Sequence, residues 1–141
     1  MDEPPHQRHE ITIESSRAAS GEASGWAREL AARAGLSEEL VYKLDLCIVE
    51  IVSNIADHGY GGGPGRIRIE LDLSPPGASL TFRDQAPAFD PLAFPAPVMA
   101  TSIEDAQVGG LGIHMVRSSA DHCAYESHGG SNVFTARFNK T

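Results

Sequence analysis

The sequence has only two cysteines in 141 residues, Cys47 and Cys123, and its six histidines are scattered. No metal-ligand spacing links them, so no zinc site is expected and both thiols read as reduced core residues. Basic residues are also scarce: 11 Lys and Arg against 19 Asp and Glu leave a net charge of −8. With no basic patch to neutralise phosphates, the composition argues against nucleic acid or an anionic membrane as partner. Any ATP site must then supply its cations locally, with Mg²⁺ the expected source. No run approaches the roughly 20 apolar residues of a membrane-spanning helix. The opening Met1-Asp2-Glu3-Pro4-Pro5 is acidic and unlike a secretion signal, so the expected location is cytoplasmic. No internal repeat is visible, and the length suits one domain with its own core.

What the sequence does contain is a glycine cluster, Gly109-Gly110-Leu111-Gly112-Ile113-His114-Met115-Val116, just ahead of an apolar helical run. Glycines at a helix start let bare N–H groups approach an anion, and the helix dipole adds positive potential there. Such glycines serve equally to cap a helix or let it pack closely. A second motif lies upstream. Ser37 reads as an N-cap with Glu38 and Glu39 in the first turn. Leu40, Val41, Leu44, Ile48, Ile51, Val52 and Ile55 follow as one apolar stripe, ended by Gly59 and the Gly61-to-Gly65 segment. Glu50 and Asn54, four residues apart, sit roughly 40° from each other around such a helix and point the same way. Leu46 and Val49 fall outside the stripe, which implies cover on more than one side and a polar pair facing a cavity. An ordinary solvated helix face offers the same pair.

The remaining elements read as follows. His9 to Ser15 alternates as a half-buried strand around Ile11 and Ile13, and a helix from about Ser20 to Ala34 carries Trp26, Leu30 and Ala34 at helical spacing. Arg66–Leu73 and Ala78–Arg83 form a hairpin around Pro75-Pro76-Gly77. Residues 86–108, rich in Pro and Ala, lack periodicity, as a functional lid would. A helix from about Leu111 to Ser119 precedes a closing hairpin, Cys123–Ser127 and Val133–Phe138. The order predicts an α+β fold, a two-layer α/β sandwich with helices on one face of a mixed, mainly antiparallel sheet. A tail over 1–8 and one domain over 9–138, with a lid at about 92–108, complete the expected organisation.

Between the motifs stands Arg83-Asp84-Gln85-Ala86-Pro87-Ala88-Phe89-Asp90-Pro91. The ordered set of Glu-x-x-x-Asn on a helix, Asp at a strand end with Phe-Asp-Pro after it, and Gly-Gly-Leu-Gly-Ile-His-Met-Val resembles the Bergerat-fold, or histidine-kinase-like, ATPases. Length, the His-Gly-Tyr ending at Tyr60, the Phe89-Asp90-Pro91 turn and the Gly-Gly-Ser-Asn-Val near the C-terminus resemble the anti-sigma-factor serine/threonine kinases of the RsbW type. The likeness runs from about His9 to Phe138.

That resemblance implies roles. Glu50 would be the general base that takes the proton of an attacking serine, and Asn54 would give an amide oxygen to Mg²⁺. Asp84 would accept a hydrogen bond from the adenine amino group. Gly110 and Gly112 would bind phosphates through the backbone, with Leu111 and Phe89 also at the nucleotide, and Thr135 would reach adenine through water. The family has Gly where this chain has Ala86, which implies a narrowed adenine pocket or a restricted turn. His58 reads most simply as a helix cap and His114 as packing near the phosphate loop. The implied function is an ATP- and Mg²⁺-dependent kinase and anti-sigma factor that phosphorylates a STAS-domain anti-anti-sigma protein and sequesters a sigma factor. A homodimer is the implied assembly. The alternative is an interaction module that sequesters a regulator without kinase activity. A sensor histidine kinase is disfavoured, because no phosphoacceptor helix hairpin or membrane span is present.

Overall fold

The computed structural model describes residues 7–61, 63–87 and 111–139. The first strand, β1 (Gln7–Glu14), starts two residues before the expected His9. The first helix, α1 (Arg17–Arg33), starts three residues before the expected Ser20, because Ser16 caps it by accepting the Ala19 N–H at 3.1 Å. Its buried face is Ser20, Ala23, Ser24, Ala27 and Ala31. Side chains this small let α2 (Glu38–Asn54) lie close against it, and the Ser24 hydroxyl donates to Asp45 across the contact. The Ser37 cap of α2 forms as expected, accepting the Leu40 N–H at 3.1 Å.

Beyond Asn54 the helix does not simply stop. It widens into a single π turn, Ile55–Gly59, closed by the Tyr60 N–H donating to Ile55 O at 2.8 Å. The strands β2 (Arg66–Ser74) and β3 (Gly77–Asp84) form the expected hairpin, and α3 (Leu111–Ser119) leads to a second hairpin of β4 (His122–His128) and β5 (Ser131–Phe138). The sheet order is β1-β2-β3-β5-β4 and every described neighbouring pair is antiparallel.

Alternation along each strand sends one set of side chains to the helices. Ile67, Ile69, Leu71 and Leu73 of β2, Ala78, Leu80 and Phe82 of β3, and Phe134, Ala136 and Phe138 of β5 join Leu44, Ile48, Ile51 and Val52 of α2 in one core. Val116 brings α3 into that core beside α2. The result is the expected two-layer sandwich, with the other sheet face lined by Arg, Glu, Asp, Ser and Thr. No described helix is long and apolar enough to cross a membrane. The expected lid at 92–108 lies outside the described residues.

Candidate active site

The site is built where α2 ends and β3 ends. Glu50 and Asn54 lie one turn apart on α2, Glu50 half-buried and Asn54 buried. The Asn54 amide nitrogen donates to the Glu50 carbonyl oxygen at 2.7 Å. This bond ties the side chain back onto its own helix just before the π turn, where side chains commonly compete for backbone carbonyls. With the nitrogen so engaged, Oδ1 is the atom left to accept or ligate, and a hard oxygen of this kind suits Mg²⁺. Among the described residues no three His, Cys, Asp or Glu gather into a metal cluster.

Burial pushes the Glu50 carboxyl up from its ordinary value, while the Arg17 charge opposes the shift. Arg17, at the start of α1, was not expected in the site. Its Nε and Nη2 both donate to Asp57 Oδ2, at 2.9 and 2.5 Å, fastening α1 to the π turn beside Glu50.

Asp84 is the last residue of β3 and points to the helix side, 8% exposed. Its Oδ1 accepts the Ala86 N–H at 2.9 Å and an N–H of Asn132 at 2.8 Å. Burial raises its carboxyl, and these two bonds pull it back. Two contacts join this strand end to the end of α2. The Ala86 methyl lies beside Gly59, where an added Cβ would stand 3.1 Å from it. The Tyr60 hydroxyl donates to Arg66 O at 2.9 Å and accepts the Gln85 N–H at 3.0 Å. Gly65 leaves room for that ring, since a Cβ there would overlap it. Ala86 thus packs into the space that Gly59 leaves open.

The structure brings Glu50, Asn54 and Asp84 to one end of the sandwich, and α3, whose first turn contains Gly112, packs alongside α2. Leu111 opens that helix. Phe89 and Gly110 lie outside the described residues. Thr135 pairs with Thr81 and Ala124 on the face away from the helices, while Asp84 and Asn132 pair on the face toward them. A strand alternates faces with every residue, so Thr135 and Asp84 point to opposite faces of the sheet. The residue on β5 that meets Asp84 is Asn132, which the sequence reading missed. A separate groove of about 760 Å³ opens on the outer sheet face, lined by Arg66, Arg68 and Arg83 among others, with Asp84 and Gln85 at its rim. Neither Glu50 nor Asn54 lines it, so its volume is not that of the site described above.

A half-buried carboxylate, an amide one helical turn away and a buried aspartate at a strand end thus stand at the same end of the sandwich. Residues 13–138 match the model of the histidine kinase-like ATPase domain, and the chain belongs to that family. Within it, the chain is 32% identical over 111 residues to the serine/threonine-protein kinase BtrW of Bordetella bronchiseptica (strain ATCC BAA-588 / NCTC 13252 / RB50), covering 78% of each chain. Among solved structures, the RsbU and RsbW domains of Rv1364c from Mycobacterium tuberculosis superpose with a TM-score of 0.64 at 17% identity. That superposition covers 94% of this chain and 32% of the other, so the chain spans about a third of that structure's chain. The likeness establishes a shared fold. The expected sandwich and the expected kinship are both borne out.

Proposed function

We propose that the chain is a serine/threonine protein kinase that uses ATP·Mg²⁺ to phosphorylate a STAS-type antagonist, and that it holds a sigma factor when that antagonist is phosphorylated. This makes it a cytoplasmic partner switch. The observation that carries the reading is the pairing on α2: a Glu50 carboxylate whose proton affinity is raised by burial, one turn from an Asn54 whose nitrogen is tied back, which leaves its oxygen to accept or ligate.

Glu50 accepts the hydroxyl proton of the attacking serine or threonine, and the nearby Arg17 charge opposes the upward push of burial on its carboxyl. Asn54 contributes its Oδ1 to the metal. Asp84 selects the base through Oδ2, the oxygen to which none of the described residues donates. Bound ATP·Mg²⁺ supplies the transferable phosphoryl group and offsets its charge. The relatives support the enzyme over a bare interaction module, since the curated one is itself named a protein kinase.

The test incubates the chain with labelled ATP, Mg²⁺ and a STAS-domain candidate, beside Glu50→Gln. Label should reach a serine or threonine of the antagonist. The variant should bind ATP with unchanged affinity while transfer falls by about 100-fold or more. ATP bound by the wild type without transfer to any antagonist would overturn the kinase reading and leave the interaction module.

A further inference from the structure

Asn132, the second residue of β5, pairs with Asp84 and is 4% exposed, yet both ends of its amide are hydrogen-bonded. Its Nδ2 donates to Asp84 Oδ1 at 2.8 Å and to Ala86 O at 2.8 Å, and its Oδ1 accepts the Tyr125 hydroxyl at 2.8 Å. The amide has one workable orientation. A carboxylate and a carbonyl both demand donors, which only the nitrogen can give, and this leaves the oxygen for Tyr125.

The consequence falls on Asp84. Its Oδ1 takes two N–H groups, one from Asn132 and one from Ala86, while among the described residues no donor reaches Oδ2. Asn132 also bridges residues 84 and 86, because it holds both the Asp84 carboxylate and the Ala86 carbonyl. The carboxylate therefore has one orientation and one oxygen to offer.

We propose that Asn132, held in turn by Tyr125, is a specificity-determining positioning residue. It fills Oδ1 of Asp84 so that Oδ2 alone is presented to the base, as an acceptor matched to a 6-aminopurine and opposed to a 6-oxopurine. The inference rests on the nucleotide reading above and adds the cause of its selectivity. A purine with an exocyclic amino group donates to Oδ2. A purine with oxygen at that position sets acceptor against acceptor, and the site's buried carboxylate is left unpaired. Without Asn132, only the Ala86 N–H still holds Oδ1, and water or a rotated carboxyl can satisfy the wrong base.

The test measures affinities of the full chain for ATP and inosine triphosphate, each with Mg²⁺, by isothermal calorimetry. Wild type, Asn132→Ala and Tyr125→Phe are compared, with thermal melts to establish folding. The wild type should prefer ATP. Asn132→Ala should reduce the ratio of the two affinities by about tenfold, and Tyr125→Phe should reduce it by less. The ratio is the readout because a purely structural role would weaken both ligands alike.

A folded Asn132→Ala that keeps the wild-type ratio overturns the inference while leaving the nucleotide reading intact. If that variant does not fold, an unchanged ratio in Tyr125→Phe overturns it instead. A wild type that binds neither triphosphate overturns the nucleotide reading and this inference with it.

Discussion

The contact between Gly59 and Ala86 gives a sharp quantitative test, because it joins the two segments that carry the site. A Cβ at Gly59 would stand 3.1 Å from the Ala86 methyl and 3.7 Å from Ile55 Cγ2. The second distance is ordinary; the first requires a neighbour to move. Gly59 is not among the glycines with positive φ, which are Gly35, Gly61, Gly129 and Gly130, so its backbone accepts alanine without strain. Gly59→Ala should therefore gain about 0.4–1 kcal/mol by restricting the unfolded chain and lose about 1–3 kcal/mol by overpacking against Ala86. The net expectation is a loss of about 1 kcal/mol. In an Ala86→Gly background the steric cost disappears and the same substitution should stabilise, giving a coupling of about 1–3 kcal/mol. Urea unfolding followed by circular dichroism reads all four corners of the cycle. If Gly59→Ala changes stability by the same amount in both backgrounds, within about 0.3 kcal/mol, the account of how Ala86 is accommodated is refuted.

Other expectations follow from the charges and the hydroxyl bridge. Asp84 has a carboxyl raised above its ordinary 3.8, so the folded state holds the proton more tightly than the unfolded one. Stability falls as pH rises from 3.8 through the raised value, and the cost stays in full above it. Asp84→Asn should thus stabilise the chain at neutral pH, with the gain vanishing below 3.8 in urea titrations, while ATP affinity drops by about tenfold or more. Arg17→Ala removes the charge that holds the Glu50 carboxyl down, so the acid limb of the phosphotransfer rate should move to higher pH. A limb that stays in place separates Arg17 from Glu50. Tyr60→Phe loses the hydroxyl linking Arg66 O and Gln85 N–H, and should cost about 1 kcal/mol in urea unfolding.

The fold was readable because its elements obey simple periods. Ile67, Ile69, Leu71 and Leu73 alternate without a break, and all four are fully buried; the Ser37 cap and the α2 stripe are equally regular. The errors fall where local rules are weak. Helix α1 starts at Arg17 because Ser16 caps it, whereas the apolar spacing that marks a helix becomes visible only farther along. The π turn at Ile55–Gly59 leaves no period of its own in five residues. It depends on Tyr60 and on bonds to strands that the chain has yet to form.

For the site, strand parity held more information than motif likeness. On β5 the apolar residues Phe134, Ala136 and Phe138 define the inward set, which puts Thr135 outward whatever the family pattern implies. Extending the same set one step back reaches Asn132. On β3 the inward set Ala78, Leu80 and Phe82 extends one step forward to Asp84. Each strand therefore has a single polar residue on its apolar side, and antiparallel register places the two directly opposite each other. A polar side chain that breaks an inward series costs burial energy unless it finds a partner, so two breaks at one rung imply a paired site before any motif is consulted. Ala86 is different in kind. Only the tertiary contact with Gly59 shows where its methyl goes, since no period along the chain relates residues 59 and 86. Pocket-forming residues on regular strands can thus be inferred from where alternation fails, whereas small-residue accommodations between turns require the folded coordinates.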